Sequence, residues 1–417
     1  MKILMIDKYY FIKGGAERYY FELKDVLEAK GHQVIPFSMQ HENNFESVYE
    51  PFFVNKVEYA LDSFAEKFLS LPRITGRMLY SFHAKKRLEQ LILREQPDIA
   101  HLHMIDHQLS PSILHTLKKF NIPVIQTIHQ YKLVCPNYRL YNPKTNEICE
   151  KCLDGHFYHP VVEKCHKASA LAGSLIAFES YLHRLTRIYE DNIDIFHTPS
   201  HFMGEKLRAG GVGDGKVRHL FYTLKLDNYK PNFEFENYVV YLGRLAQEKG
   251  VLTLLKAMQQ VKDTELVIIG DGPERKRLQD YALRQDLQHV QFVGSKGGEE
   301  LRRLVQNCKF LIVPSEWYDN SPLVIYEAFA YGKPVIGSQL GGIPELIDDG
   351  KNGLIFQAGN VDELAEKISA LASDSDLISA FGRQARSKAE GVFDPEYHYR
   401  QIHQWYTELL TSSTSGN

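Results

Sequence analysis

The sequence predicts an α/β protein made of two doubly wound parallel sheets facing each other across a cleft. Three observations predict it. Apolar, β-branched runs alternate with helical segments twice over, first in 1–202 and again in 238–338, an order that builds parallel sheets. Glycine turns follow several of those runs at their carboxyl ends, where open α/β sheets bind ligands. The 417 residues also exceed one typical core, so two domains of roughly 200 residues are expected. Residues 1–210 are assigned to the first domain, with a cysteine-rich insertion at 135–165. Residues 211–394 form the second, and 395–417 a helix packing back on the first domain plus a disordered polar tail.

The first unit opens on KILMID (2–7), a strand running into a loop with Gly14-Gly15-Ala16-Glu17 and then a helical pattern to about Lys30. GHQVIPFS (31–38) reads as the next strand. Paired glycines let main chain approach a ligand closely, and they also serve an empty turn; their spacing does not match the dinucleotide fingerprint. In 50–95 aromatic and apolar side chains alternate with Lys56, Lys67, Arg73, Arg77 and Lys85, which predicts amphipathic helices with a basic side. Such helices either bury one face in the core or lie on an anionic membrane. PDIAHLH (97–103), IPVIQTIH (122–129) and DIFHTPSHF (194–202) read as the remaining strands of the sheet, with Ser200 capping the next helix. His129 sits where the crevice is expected. The glycine-rich segment 209–236 reads as the connection between domains.

The second unit repeats the alternation. YVVYLGRL (238–245), ELVIIGDGP (265–273), VQFVG (290–294), FLIV (310–313) and KPVIGS (333–338) read as strands, with helices at 251–261, 274–286, 298–307 and 323–331. A last helix is expected from about Pro395 to Leu410, and the tail TSSTSGN is polar.

Apolar residues at 44% and charged residues at 24% are ordinary for a soluble globular chain. A net charge of −3 gives no electrostatic case for nucleic acid. No apolar run is long enough to span a bilayer, and MKILMID enters a strand directly without a signal-peptide pattern, so a cytoplasmic location is expected.

PSEWYDNSPLVIYE (314–327) carries the chemistry. It joins an apolar strand to a helix through a polar turn, and Asp319 and Glu327 are its acceptor carboxylates, suited to a partner rich in hydroxyl donors such as a sugar or ribose. The alternative is that the Asp and Ser are helix caps and Glu327 a solvated helix residue.

With GGAE, GRLAQEKG (243–250), IGDGP (269–273), VGS (293–295), PSEWYDNSPLVIYEAFAYGKPVI and GGIPELI in this order, the chain resembles glycosyltransferase family 4 over nearly its whole length. The resemblance implies a GT-B fold with an acceptor-binding first domain and a nucleotide-sugar-binding second domain, and retaining transfer of a hexosyl group to a hydroxyl. Arg244 and Lys249 match the family's pyrophosphate-binding pair, a guanidinium and an ammonium placed to neutralise the departing diphosphate. Glu327 matches the glutamate that accepts from both ribose hydroxyls. Asp319 stands where the family has its first signature glutamate, one methylene longer, near the donor sugar. Gly14, Gly15, Asn320, Ser321 and Leu323 would offer main-chain amides to diphosphate and sugar. Gly243, Gly270 and Gly272 would shape the base and ribose side, with Val293 and Gly294 near the base. His129 resembles the histidine that contacts the donor sugar, in a positioning role. The implied displacement is front-face, the leaving phosphate oxygen taking the acceptor's proton, with no catalytic cofactor. A lipid-linked or other saccharide of surface-polysaccharide synthesis is the expected acceptor, with peripheral contact through 50–95 at the inner face of the membrane. A sugar-nucleotide epimerase or hydrolase, or a non-catalytic nucleotide-sugar-binding protein, are the alternatives.

Cys135, Cys149, Cys152 and Cys165 have the look of a four-thiolate structural zinc site, with one C-x-x-C knuckle. Reduced structural thiols or a disulfide pair fit the same spacing.

Overall fold

The computed structural model describes residues 1–56 and 76–414. In the first half β1 (Lys2–Ile6), α1 (Gly15–Ala29) and β2 (Gln33–Phe37) are followed by α2 (Phe82–Glu95), β3 (Ile99–Leu102), α3 (Ser112–Lys119) and β4 (Val124–Thr127). An insertion then adds the antiparallel pair β5 (Tyr141–Asn142) and β6 (Glu147–Ile148) and the helices α4 (His159–Glu163) and α5 (Ala170–Leu185). The sheet is completed by β7 (Ile195–Thr198), α6 (His201–Ala209) and β8 (Val217–His219). Its strands run parallel in the order β2-β1-β3-β4-β7-β8. Ile3, Leu4, Met5 and Ile6 are fully buried, as expected of a strand covered on both faces, each side chain contributing about 1.5–3 kcal/mol of transfer free energy.

The boundary expected at 210 is displaced. β8 pairs along β7, Phe196 opposite Val217 and Thr198 opposite His219, so the first sheet runs on to His219. Gly211, at φ +93°, turns the chain after α6 and sends it back along the sheet edge instead of releasing it as a linker. Of the 50–95 segment, residues 57–75 lie outside the described residues. In the part that is described, α2 buries Ala84, Leu88, Leu91 and Ile92, the core reading of its apolar face.

The second half contains β9 (Tyr238–Leu242), α7 (Val251–Met258), β10 (Glu265–Ile269), α8 (Arg275–Arg284), β11 (Val290–Gly294), α9 (Gly298–Gln306), β12 (Leu311–Val313), α10 (Leu323–Ala330), β13 (Val335–Ser338), α11 (Ile343–Leu346) and β14 (Gly353–Phe356). Its parallel order is β11-β10-β9-β12-β13-β14. The chain builds outward from β9, then returns to lay β12 on the other side of it, so loops after β9 and β12 diverge and open a crevice there. Two helices, α12 (Val361–Ala372) and α13 (Ser375–Val392), precede α14 (Pro395–Thr414). α14 lies against the first half, where the Tyr406 hydroxyl is 2.7 Å from His101 Nδ1 and the Tyr19 hydroxyl 3.0 Å from His398 Nε2.

Candidate active site

Loops at the carboxyl ends of β9, β10 and β11 interlock through their glycines. A Cβ on Gly270 would lie 1.9 Å from the Gly243 carbonyl oxygen, and one on Gly272 2.3 Å from that of Leu245. Both have positive φ, so at these positions only glycine fits without displacing main chain. Gly270 N–H donates to Gly294 O at 2.9 Å, which seats Val293 and Gly294 beside the same turn. Arg244 leaves the end of β9 exposed to solvent and, among the described residues, forms no ion pair.

The next turn carries Lys249 to Asp319. Lys249 Nζ donates to Asp319 Oδ2 at 2.5 Å, and Ser315 Oγ donates to the same oxygen at 3.1 Å. Gly250 makes this reach attainable: at φ +68° its backbone lies so close to β12's end that an added Cβ would sit 1.8 Å from Pro314 O. The shorter aspartate therefore meets an ammonium brought to it. Glu316 turns away, accepting from Thr253 Oγ1 at 2.5 Å on α7.

The turn 319–322 is held from both halves of the chain. Gly342 N–H donates to Asp319 O at 2.8 Å. Ser200 Oγ donates to Asn320 Oδ1 at 2.6 Å, and Asn320 Nδ2 donates to Ile128 O at 3.3 Å, which ties the turn to the end of β4 and to the cap of α6. Ser321 Oγ and the Tyr326 hydroxyl are 2.6 Å apart. Glu345, in α11, accepts from the amides of His201 and Phe202, both at 2.7 Å, and so closes the first turn of α6 from the other half.

Across the cleft the glycine loop meets α10. A Cβ on Gly15 would come within 3.4 Å of Leu323, and Gly14 precedes the first turn of α1. From that turn Arg18 forms an ion pair with Glu327, whose side chain is 9% exposed. Glu327 is thus a buried acceptor facing the opposite half, not a solvated helix residue. Arg18 was not singled out by its sequence; a lone arginine after GGAE carries no local signal, and its partner lies 309 residues away.

The first half contributes buried ionisable groups. His129 Nδ1 is 2.7 Å from the Tyr222 hydroxyl and its Nε2 3.0 Å from His103 Nδ1. Burial, then His197 and Lys8, holds its pKa down to about 3, so the ring is neutral at pH 7. A neutral imidazole with both nitrogens engaged suits positioning, not proton abstraction. Two buried carboxyls, Asp7 just after β1 and Glu17 in the first turn of α1, were given no role from the sequence. Asp7 is 1% exposed and Glu17 3% exposed. Burial, then Glu17, pushes Asp7 up to about 8, while its oxygens accept from Tyr9 N at 3.0 Å and Met104 N at 3.4 Å.

Cys135, Cys152 and Cys165 are buried, Cys149 is half-buried, and all four are free thiols. Burial, then the neighbouring thiols, pushes Cys165 up to about 12. Burial holds the Cys135 thiol above its usual range as well. Among the described residues, the group of metal-capable side chains with all ligand atoms within 4.8 Å of one another is a different one, His201, His219 and Glu345.

Residues 13–220 match the family model described as glycosyltransferase family 4, and residues 226–388 that of glycosyl transferases group 1. An uncharacterized glycosyltransferase of Methanocaldococcus jannaschii is 24% identical over 386 residues, 93% of this chain and 92% of that one. The N-acetyl-alpha-D-glucosaminyl L-malate synthase of Bacillus anthracis is 22% identical over 97% of this chain and 96% of its own length. Among solved structures, sucrose-phosphate synthase from Thermosynechococcus elongatus is similar with a TM-score of 0.72 at 21% identity over 99% of both chains. HepE of Anabaena in complex with UDP-glucose is similar with a TM-score of 0.65 at 17% identity, over 98% of this chain and 100% of that one. Two parallel Rossmann-like sheets facing across the cleft are the GT-B fold, and the chain belongs to glycosyltransferase family 4.

Proposed function

We propose that the chain moves a hexosyl group from a nucleotide sugar to a hydroxyl acceptor with retention at the anomeric carbon. The observation that carries this reading is the meeting of the two sheets at one cleft. Lys249 and Asp319 stand beside the turn 319–322, and Glu327 faces the Gly14–Gly15 loop over Leu323. In this arrangement Arg244 and Lys249 neutralise the diphosphate as it departs, and Asp319 orients Lys249. Glu327 exchanges its bond to Arg18 for the ribose hydroxyls. Amides at the start of α10 and in the glycine loop hold phosphate and sugar, while the loops of Gly243, Gly270, Gly272 and Gly294 enclose the base. The acceptor hydroxyl attacks on the face the diphosphate leaves, and the leaving oxygen takes its proton; His129 positions the sugar. Because cationic side chains supply the charge, this chemistry takes no catalytic metal.

UDP-glucose, bound by HepE, is the first donor to try. A lipid-linked saccharide of surface-polysaccharide synthesis, met at the inner face of the membrane, is the proposed acceptor class. A structural zinc on Cys135, Cys149, Cys152 and Cys165 is proposed from their spacing and their free thiols, and binding it requires the sulfurs to draw together, since no three of them lie within 4.8 Å of one another. The test is a panel of nucleotide sugars scored by thermal shift, followed by NMR of the product's anomeric proton. A ligand at 100 times its dissociation constant stabilises the fold by about 2.7 kcal/mol. A product of inverted configuration, or free sugar released equally with and without acceptor, contradicts the proposal.

A further inference from the structure

α5 is inside out. Its sequence, ALAGSLIAFESYLHRL, carries one acid, Glu179, and that acid faces inward: it is 1% exposed and paired with Lys132 Nζ at 2.7 Å. His183 faces inward too, its Nε2 3.1 Å from Leu79 O. The outward face holds Leu171 at 76% exposure, Phe178 at 56%, Tyr181 at 42% and Leu185 at 84%. At 100° per residue these positions, with Leu175 and Leu182 between them, form a stripe about 120° wide. α4 crosses α5 at Gly173, where a Cβ would lie 2.3 Å from Pro160 O, and adds Val162 at 67% exposure. A surface helix normally turns such a stripe to the core, and a contiguous apolar patch left outside marks an interaction site.

The charges around the stripe identify the occupant. Lys164 and Lys167 are exposed just before its N-terminal end, and Arg184 and Arg187 at its C-terminal end. Among the described residues Lys164 and Lys167 form no ion pair, Arg184 lies 5.6 Å from the Phe157 ring centroid, and Arg187 pairs with Asp191. Lys164 and Lys167 are therefore the uncompensated charge, both at one end of the stripe, and a second copy laid on it in parallel would set them against their own counterparts. An anionic bilayer satisfies stripe and cations together. Spanning it is excluded for α5, since none of the described helices is long and apolar enough to cross a membrane. We propose that the α4–α5 face docks the protein in the plane of an anionic membrane, with the stripe at the headgroup–acyl boundary and Lys164 and Lys167 on lipid phosphates. The position fits the transferase reading and deepens it. Lys132, three residues after His129, holds the inward face of α5 through Glu179, which ties the docking face to the loop after β4.

Cosedimentation of the full chain with vesicles tests this without donor or acceptor. Phosphatidylcholine vesicles are compared with vesicles of equal parts phosphatidylcholine and phosphatidylglycerol. Binding to the mixed vesicles exceeds that to neutral ones by roughly tenfold or more, the effect of two surface cations on an anionic leaflet. Leu171→Ser, Phe178→Ser and Leu185→Ser together leave the melting temperature in place and the protein in the supernatant. Lys164→Gln with Lys167→Gln weakens binding and reduces its salt dependence. Equal partitioning of parent and triple-serine variant overturns the proposal. So does a dimer, seen by light scattering, that the same three substitutions dissociate while vesicles bind nothing. A chain that ignores vesicles yet turns over a nucleotide sugar removes the docking surface alone; one that binds vesicles and turns over none removes only the transferase reading.

Discussion

Replacing Gly250 with alanine separates two costs that the structure assigns to one position. The residue sits at φ +68°, where an L side chain costs about 1–2 kcal/mol. Its new Cβ would also lie 1.8 Å from Pro314 O, and main chain at the end of β12 cannot yield as a flexible side chain can. Forced overpacking of this kind costs about 1–3 kcal/mol, so the total is about 2–5 kcal/mol. Two other glycines isolate the terms. Gly350 has φ +72° with nothing within 4 Å of an added Cβ, so its alanine variant loses only the conformational part. Gly213 has neither strain nor a near neighbour, and its variant is within about 0.5 kcal/mol of the parent. Thermal melts of the three variants should fall in that order. Gly250→Ala drops by about 4–20 °C at roughly 2–4 °C per kcal/mol. Relaxation at Gly250 moves Lys249 off Asp319, so kcat/KM falls as well. A Gly250→Ala protein that melts with Gly213→Ala and keeps its kcat/KM refutes the argument that this close approach positions Lys249.

Three further outcomes follow from the same contacts. His129 and His398 are held down to about 3 and His197 to about 4, mainly by burial. Their unfolded values near 6.5 mean the unfolded chain binds more protons below that pH, while Asp7, pushed up to about 8, acts with the opposite sign from about pH 4 to pH 8; urea unfolding should show a net loss from pH 6.5 toward pH 4, at up to about 1.4 kcal/mol per pH unit per histidine less the same for Asp7, and a flat profile contradicts this. Glu327→Gln removes a charged acceptor from the ribose site and should weaken nucleotide affinity by about 1.5–3 kcal/mol, read by calorimetry with UDP; unchanged affinity removes Glu327 from that role. Zinc should be found near one equivalent per chain by elemental analysis, and a chelator should lower the melting temperature in the parent but not in a Cys149→Ser, Cys152→Ser variant; a metal-free folded chain ends the zinc reading.

The alternation of runs and helices was legible because period and composition are local, and the parallel order of both sheets follows from it. What escaped is long-range or edge structure. β8 is three residues long and follows glycines that also suit a linker, so nothing local marks it as a strand. α12 and α13 went unassigned although α12 is capped by Asn360 and α13 by Asp374, cues that lie outside the strand–helix alternation. The polar turn 314–327 was recognised from residue types, yet its tethers, Asn320 to Ile128 and Ser200, join positions far apart in the chain. Asp7 closed a strand and Glu17 a glycine loop in the sequence; only the packing around them makes them buried carboxyls. α5 was left unassigned, and which of its sides faces out is set by packing far along the chain, at Lys132 and Leu79.

The most direct test of the clamp on the leaving diphosphate is kcat/KM for the nucleotide-sugar donor in Arg244→Ala and Lys249→Ala, each with an intact melt. Loss of an electrostatic clamp of about 2–4 kcal/mol predicts a fall of roughly 30-fold to 1000-fold in each. A change under about twofold in both, with donor still bound, contradicts it.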